Sequence, residues 1–236
     1  WAMGVILTPL LGSCTSDDIG SAGRDECDII SGQPMTVTSA TRATDGSTSS
    51  TQFEQDQIVW LWANKADGSE NITAWQLTAQ SGGSFTGTNT NKYWPSDGSS
   101  LDVYALHGNF KKSPSISEGT TQWSNLSLTH TVEANQSTDN NKRLSDLLYS
   151  QTSSVAPNTG SVQLTFNHLL AKITVKLDLT NSKGINAGEL ANAEVKLTNI
   201  LPDATISNTS LTANPVQTST TGTRTTIISG KIPSSI

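Results

Sequence analysis

Val162-Gln163-Leu164-Thr165-Phe166-Asn167-His168-Leu169-Leu170-Ala171-Lys172-Ile173-Thr174-Val175-Lys176-Leu177-Asp178-Leu179 is the stretch on which the architecture turns. Val162, Leu164, Phe166, His168 and Leu170 hold alternate positions, as a strand with one buried face requires. From Leu169 the apolar set changes parity, to Leu169, Ala171, Ile173, Val175, Leu177 and Leu179. A shift of one residue turns every side chain to the opposite face, so one flat strand cannot bury both sets in one core. Either a bulge lies near Leu169 to Lys172, or two consecutive strands serve two cores.

Short strands separated by turn residues flank this stretch on both sides. Pro34 to Ala40 alternates Met35, Val37 and Ser39 against Thr residues. Ile58 to Ala63 is apolar on both faces and suits a central strand. Thr73, Trp75, Leu77 and Ala79 alternate, as do Leu101, Val103 and Ala105, and then Leu126, Leu128, His130 and Val132. Asp67-Gly68, Gly82-Gly83 and Asp97-Gly98 read as turns. Glu133 to Arg143 is polar and loop-like, and Ala187 to Ala193 has room for one or two helical turns at most. Val195, Leu197 and Asn199 alternate again. The pattern is all-β, with antiparallel sandwich architecture expected.

Composition narrows the partners. Hydrophobic residues make up 34% of the 236 and charged residues 14%, with Ser, Thr, Asn and Gly filling the difference. A net charge of -6 and a pI near 4.9 argue against nucleic acid or an anionic membrane surface as a partner. Two cysteines, Cys14 and Cys27, make no disulfide framework and have no metal-site spacing around them.

Trp1 to Leu11 is apolar but shorter than the ~20 residues that span a bilayer. It ends in Leu11-Gly12-Ser13-Cys14, which looks like the close of a bacterial lipoprotein signal peptide, with Cys14 as the lipid-attachment residue. Thr15-Ser16-Asp17-Asp18 resembles the Ser-plus-acidic signal that takes lipoproteins to the surface of Bacteroides-like bacteria. Residues 15–33 read as a flexible tether. The missing basic segment ahead of the apolar run and the abrupt final residues suggest a fragment of a longer chain.

Several of these pieces together resemble the fimbrillin family of surface pilin-like lipoproteins. They are Leu11 to Cys14, Thr41-Arg42-Ala43-Thr44, Phe53-Glu54-Gln55-Asp56-Gln57-Ile58, Tyr93-Trp94-Pro95, Leu101-Asp102-Val103-Tyr104-Ala105, Asp146-Leu147-Leu148-Tyr149, and Val162 to Ile173. Gln55 departs from the family's Gly before Asp56. The resemblance implies two β-sandwich domains of transthyretin-like topology, the second truncated here. On this chain they would be residues 34–168 and 169–236, behind a signal remnant at 1–14, with Val162 to His168 closing the first core and Ile173 to Leu179 opening the second. A single bent strand is the competing reading.

It also implies a fimbrial subunit or surface adhesin in the outer membrane, held by its lipid. Assembly would proceed by proteolysis after Arg42, with Arg24 as the rival site, release of Pro34 to Ala40, and addition of a strand from another subunit. The alternative is a non-polymerising surface lipoprotein that binds a host receptor or glycan.

No catalytic constellation is legible, and no cofactor is expected. Gly-x-Ser-x-Gly, phosphate-loop and dinucleotide patterns are absent. His107, His130 and His168 are far apart and lie beside apolar strand faces, His130 and His168 at the edge of a core. The Asp-Gly loops lack the alternating acidic residues of a calcium loop. Tryptophans within apolar strands belong more often to a core than to a carbohydrate platform; Trp94 beside Pro95 and Trp123 in a polar stretch are the candidates for exposure, as possible glycan contacts.

Overall fold

The computed structural model describes residues 33–42, 53–88, 91–173, 175, 184, 187–190, 193–213, 219–221 and 223–231. Seven strands close into a barrel-like sheet: β1 (Thr36–Arg42), β2 (Ile58–Lys65), β3 (Glu70–Ala79), β4 (Ser84–Gly87), β5 (Leu101–His107), β7 (Leu148–Val155) and β8 (Ser161–His168). Their order is β1-β4-β3-β2-β5-β7-β8, returning to β1. All neighbours run antiparallel except β1 and β8, which are parallel. A parallel pair needs a long crossover, and here the other five strands of the sheet supply it.

β6 (Ser127–Thr131), β10 (Asp203–Ser207) and β11 (Ser219–Thr221) form a second sheet, and β9 (Glu194–Ile200) pairs with β12 (Thr225–Lys231). The all-β expectation holds. The hydrogen bonding draws one closed sheet and two small ones, with β1 bridging the gap between β4 and β8.

Two apolar clusters lie on opposite faces of the closed sheet. Val59, Leu61, Ala63, Ile72, Leu77, Val103, Val162, Leu164 and Phe166 fill its interior. Trp62, Ala74, Tyr104, Leu106 and Tyr149 point outward and are covered by Phe110, Trp123 and Leu128, and by Ile206 and Leu211 from farther along the chain. β2 is therefore central, with burial on both faces, as its unbroken apolar run requires.

The β2–β3 register shifts between Leu61/Ala63, so Ile72 and Trp75, three residues apart, both face the inner cluster while Ala74 faces the outer one. That bulge breaks the alternation expected through Thr73. The departure at Gln55 is harmless, because the positive φ of that turn is at Asp56 (φ 69), a residue type that tolerates the left-handed region.

The parity change at Leu169 now has a physical account. β8 ends at His168, after burying Val162, Leu164 and Phe166 inside the barrel. Leu169 donates its N–H to Leu147 O at 2.9 Å, and Leu169 and Leu170 pack against the outer cluster. The chain thus crosses from the inner to the outer face of one sheet. Ile173 and Val175 beyond it are 64% and 50% exposed.

Hydrogen bonding also crosses position 168. β6 pairs with β10 over Ser127 to Thr131, and Lys112 Nζ lies 2.7 Å from Asp203 Oδ1.

Among the described residues, three short helices punctuate the strands. α1 (Asp139–Ser145) lies where the sequence reads as a loop. Its signals are local: Thr138 caps the N-terminus, Asp139 sits in the first turn, and Lys142 and Arg143 sit in the last. α2 (Ala187–Leu190) falls in the expected short helical segment. α3 (Asn208–Thr212) starts at a Ser207/Ser210 capping box and brings Leu211 onto the outer cluster.

Candidate functional site

β1 is the feature of this fold with the most chemical consequence, because it alone connects β4 to β8. On one side it pairs antiparallel with β4, Val37 opposite Phe85 and Thr38 opposite Ser84. On the other it runs parallel to β8, from Thr36 opposite Ser161 to Arg42 opposite Phe166, with a register shift between Ser39 and Thr41. Met35 and Val37 face inward and are 4% and 3% exposed, while Thr36 faces solvent.

The residues just ahead of the strand are also tied down. Met35 N–H donates to Lys92 O at 2.6 Å, and Trp94 N–H donates to Gln33 O at 3.1 Å. The Thr36 hydroxyl donates to Gly160 O at 3.1 Å, and Ser39 N–H donates to Gly83 O at 2.9 Å. Take residues 33–42 away and three backbone rows lose partners: β8, the row of Gly83 and β4, and the 92–94 segment. An unpaired sheet edge of this kind recruits another strand.

Arg42, the expected processing residue, is the last residue of β1. Proteolysis after it would cut where the strand ends. Cys14 and Arg24 lie outside the described residues, as does Cys27.

Both tryptophans named as candidates for exposure are buried, Trp94 at 2% and Trp123 at 4%. This corrects the expectation of exposure. Trp94 belongs to the inner cluster. Trp123 stacks on Tyr104 at 4.1 Å and packs against Trp62 at 5.6 Å, while Trp62 Nε1–H donates to Thr121 O at 2.8 Å. A polar neighbourhood in sequence misled, because the segment around Trp123 lies flat over the outer face and needs one large anchor to stay there. Neither ring offers the open face that a sugar would stack on.

The three histidines do not converge on a site. His107 places its ring nitrogens 2.7 Å from Ile58 O and 3.1 Å from Arg143 O, holding α1 against β2. Glu54 adds an ion pair to Arg143 at 2.5 Å. His130 is fully buried rather than at a core edge. Its Nδ1 accepts from Asn109 N–H at 3.1 Å, so its Nε2–H donates to Ser145 O at 3.1 Å. Burial pushes its pKa down to about 4, so the ring is neutral. His168, half-buried at the end of β8, lies 2.8 Å from Asp146 Oδ1.

The Asp-Gly loops are turns. Asp67 Oδ1 accepts from the N–H and hydroxyl of Ser69, and Asp97 accepts from Lys65 Nζ at 2.7 Å and from Ser99 N–H. No group of three or more metal-ligating side chains occurs among the described residues.

The walls of the β1 seat were not legible as site residues. Gly83, Phe85, Gly160 and Ser161 carry no motif, Val162 to Leu164 read only as a strand within the family's pattern, and only the closure of the sheet brings them together.

Known proteins place this geometry. Two solved structures share the fold, both of candidate cell adhesion proteins from Bacteroides. The one from Bacteroides ovatus has a TM-score of 0.56 at 16% identity, covering 84% of this chain and 77% of its own. The one from Bacteroides uniformis has a TM-score of 0.56 at 22% identity, covering 83% and 69%. At those identities the likeness is one of fold. No curated protein matches the chain. A family model described as fimbrillin-like matches residues 41–233, and the chain therefore belongs to the fimbrillin-like family.

Proposed function

We propose that this chain is a surface fimbrial subunit or adhesin that assembles by exchange of its first strand. The observation that carries the reading is the placement of β1. It makes, with β8, the one parallel pair of the closed sheet, it ends at Arg42, and its departure leaves a groove floored by the inner cluster. Proteolysis after Arg42 frees the strand, and an extended strand of a neighbouring subunit takes its place, with backbone hydrogen bonds supplying affinity. Arg24 is the rival cut.

In the same reading Cys14 carries the lipid that anchors the precursor in the outer membrane at the cell surface. Residues 34–168 and 169–236 form two transthyretin-like units, joined here through the β6–β10 pairing. The role is structural or adhesive rather than enzymatic. A host receptor or glycan remains a partner of the assembled fibre, although Trp94 and Trp123 are closed to it in this conformation.

The test uses purified precursor treated with an Arg-specific protease. The expected result is a new N-terminus at Ala43 and a ladder of heat-resistant oligomers on a denaturing gel. Monomer that stays monomer after the cut rejects the reading and leaves a non-polymerising surface binder. Mass spectrometry of membrane-expressed protein tests the anchor, and an unmodified Cys14 thiol would refute it.

A further inference from the structure

The fit between β1 and its seat is uneven, and the unevenness specifies the partner. β8 turns three apolar residues inward, Val162, Leu164 and Phe166, all 2% exposed or less. The residues of β1 in register with the first two are Val37 and Ser39. Side chains in register on parallel neighbours share a face of the sheet. At the first rung apolar meets apolar, Val37 against Val162. Phe166 is covered from elsewhere, by the Phe53 ring at 4.9 Å. At the middle rung, fully buried Leu164 faces Ser39.

Ser39 gains little in exchange. It is half-buried, and its hydroxyl reaches only Gly83 O, at the long distance of 3.5 Å. Immediately after it the β1–β8 register slips by one residue, so Ala40 opposes nothing on β8. The described β1–β4 pairs stop at Thr38, followed by the single Ser39 to Gly83 backbone bond. β1 is therefore paired on both sides in its first half, and in its second half the described ladder continues on the β8 side.

We propose that the groove is built for an extended strand from a neighbouring subunit that carries an apolar, β-branched side chain at the Leu164 rung, and that this one position makes exchange against β1 favourable. This inference rests on the strand-exchange reading and adds the chemistry of the incoming strand. A valine there buries two methyl groups against Leu164 where the serine hydroxyl has a poor partner, and Val suits a pleated surface. β1, with serine, is the occupant that can be displaced.

The experiment uses the full chain with a specific protease site placed after Arg42, so that the cut does not depend on natural processing. Two labelled peptides are offered to the cut protein: residues 33–42 and the same peptide with Ser39→Val. Fluorescence polarisation reads their entry. The expected result is that the Ser39→Val peptide half-saturates at a concentration at least ~10-fold lower than the parent peptide. In the intact chain, Ser39→Val raises the urea midpoint of unfolding. If the parent peptide enters and Ser39→Val is no better, the inference is overturned while strand exchange stands. If neither peptide enters, strand exchange itself fails and takes the inference with it. A midpoint unchanged or lowered in intact Ser39→Val overturns the under-filled rung, whatever the peptides do.

Discussion

Truncating the one large inward side chain that β1 places between its two partner strands should loosen the strand before it unfolds the protein. Val37 is 3% exposed and stands in register with Val162 on β8 and Phe85 on β4. Val37→Ala removes two methyl groups, each worth ~0.8 kcal/mol of burial, and leaves a void that the rigid sheet closes only in part. The total is about 2 kcal/mol. Every 1.4 kcal/mol is a factor of ten, so the open state of the groove should become roughly 30-fold more populated.

Urea denaturation of the intact chain reads the first number. Native-state hydrogen exchange reads the second, as a loss of protection concentrated in β1 and the edges of β4 and β8. Thr36→Ala is the control. Thr36 is exposed and gives up only solvent-facing hydroxyl bonds to Gly160 O and Ser161 Oγ, so it should cost no more than about 1 kcal/mol, half of Val37→Ala or less. If the two substitutions cost the same, or if Val37→Ala lowers protection evenly across β2, β3 and β5, then β1 is not the separately removable element and the reasoning fails.

Three other outcomes follow from the same geometry. His130 is neutral in the fold because burial pushes its pKa from 6.5 down to about 4, so its contribution is present above pH ~6.5 and is lost as pH falls toward 4; a urea series across that range should show a loss on the order of 3 kcal/mol, which His130→Asn abolishes. Ile206, fully buried in the outer cluster although it comes from β10, should cost about 2–4 kcal/mol as alanine, and should lower the same cooperative transition that Val37→Ala lowers; a separate second transition would refute shared folding. Release of β1 removes the Gln33 and Pro34 contacts beside Trp94, so tryptophan emission should shift to the red on exchange, and Trp94→Phe should remove most of that change.

Asp203 shows how electrostatics supports the link across the chain's two halves. Burial by itself would raise its pKa, yet hydrogen bonds from Lys112 and Thr131 outweigh that and hold the carboxyl below the usual range. The anion is thus the form the fold prefers. It ties the segment before β6 to the start of β10, at the junction where sequence alone suggests a break.

The sequence by itself determined the class and much of the strand pattern. Alternation over Val162 to Phe166 and the two-sided apolar run of β2 are local signals, and local periodicity is what a pleated strand needs. The same holds for Leu126 and Leu128, both buried as their spacing requires. Family membership was legible too, since its short motifs occur in order along the chain. α1 had a readable cap in Thr138 but lost to the polar look of its surroundings.

Only the tertiary structure decided which partners those strands take. No local pattern says that β1 lies between β4 and β8, since each of its pairings joins residues far apart in sequence and depends on the sheet closing. The burial of Trp94 and Trp123 was hidden for the same reason: a polar loop becomes a lid only once there is a face to cover. The change of parity at Leu169 carried real information, that the chain turns to a second apolar cluster. Periodicity reports a change of face, and it takes the folded sheet to show that both faces belong to one layer.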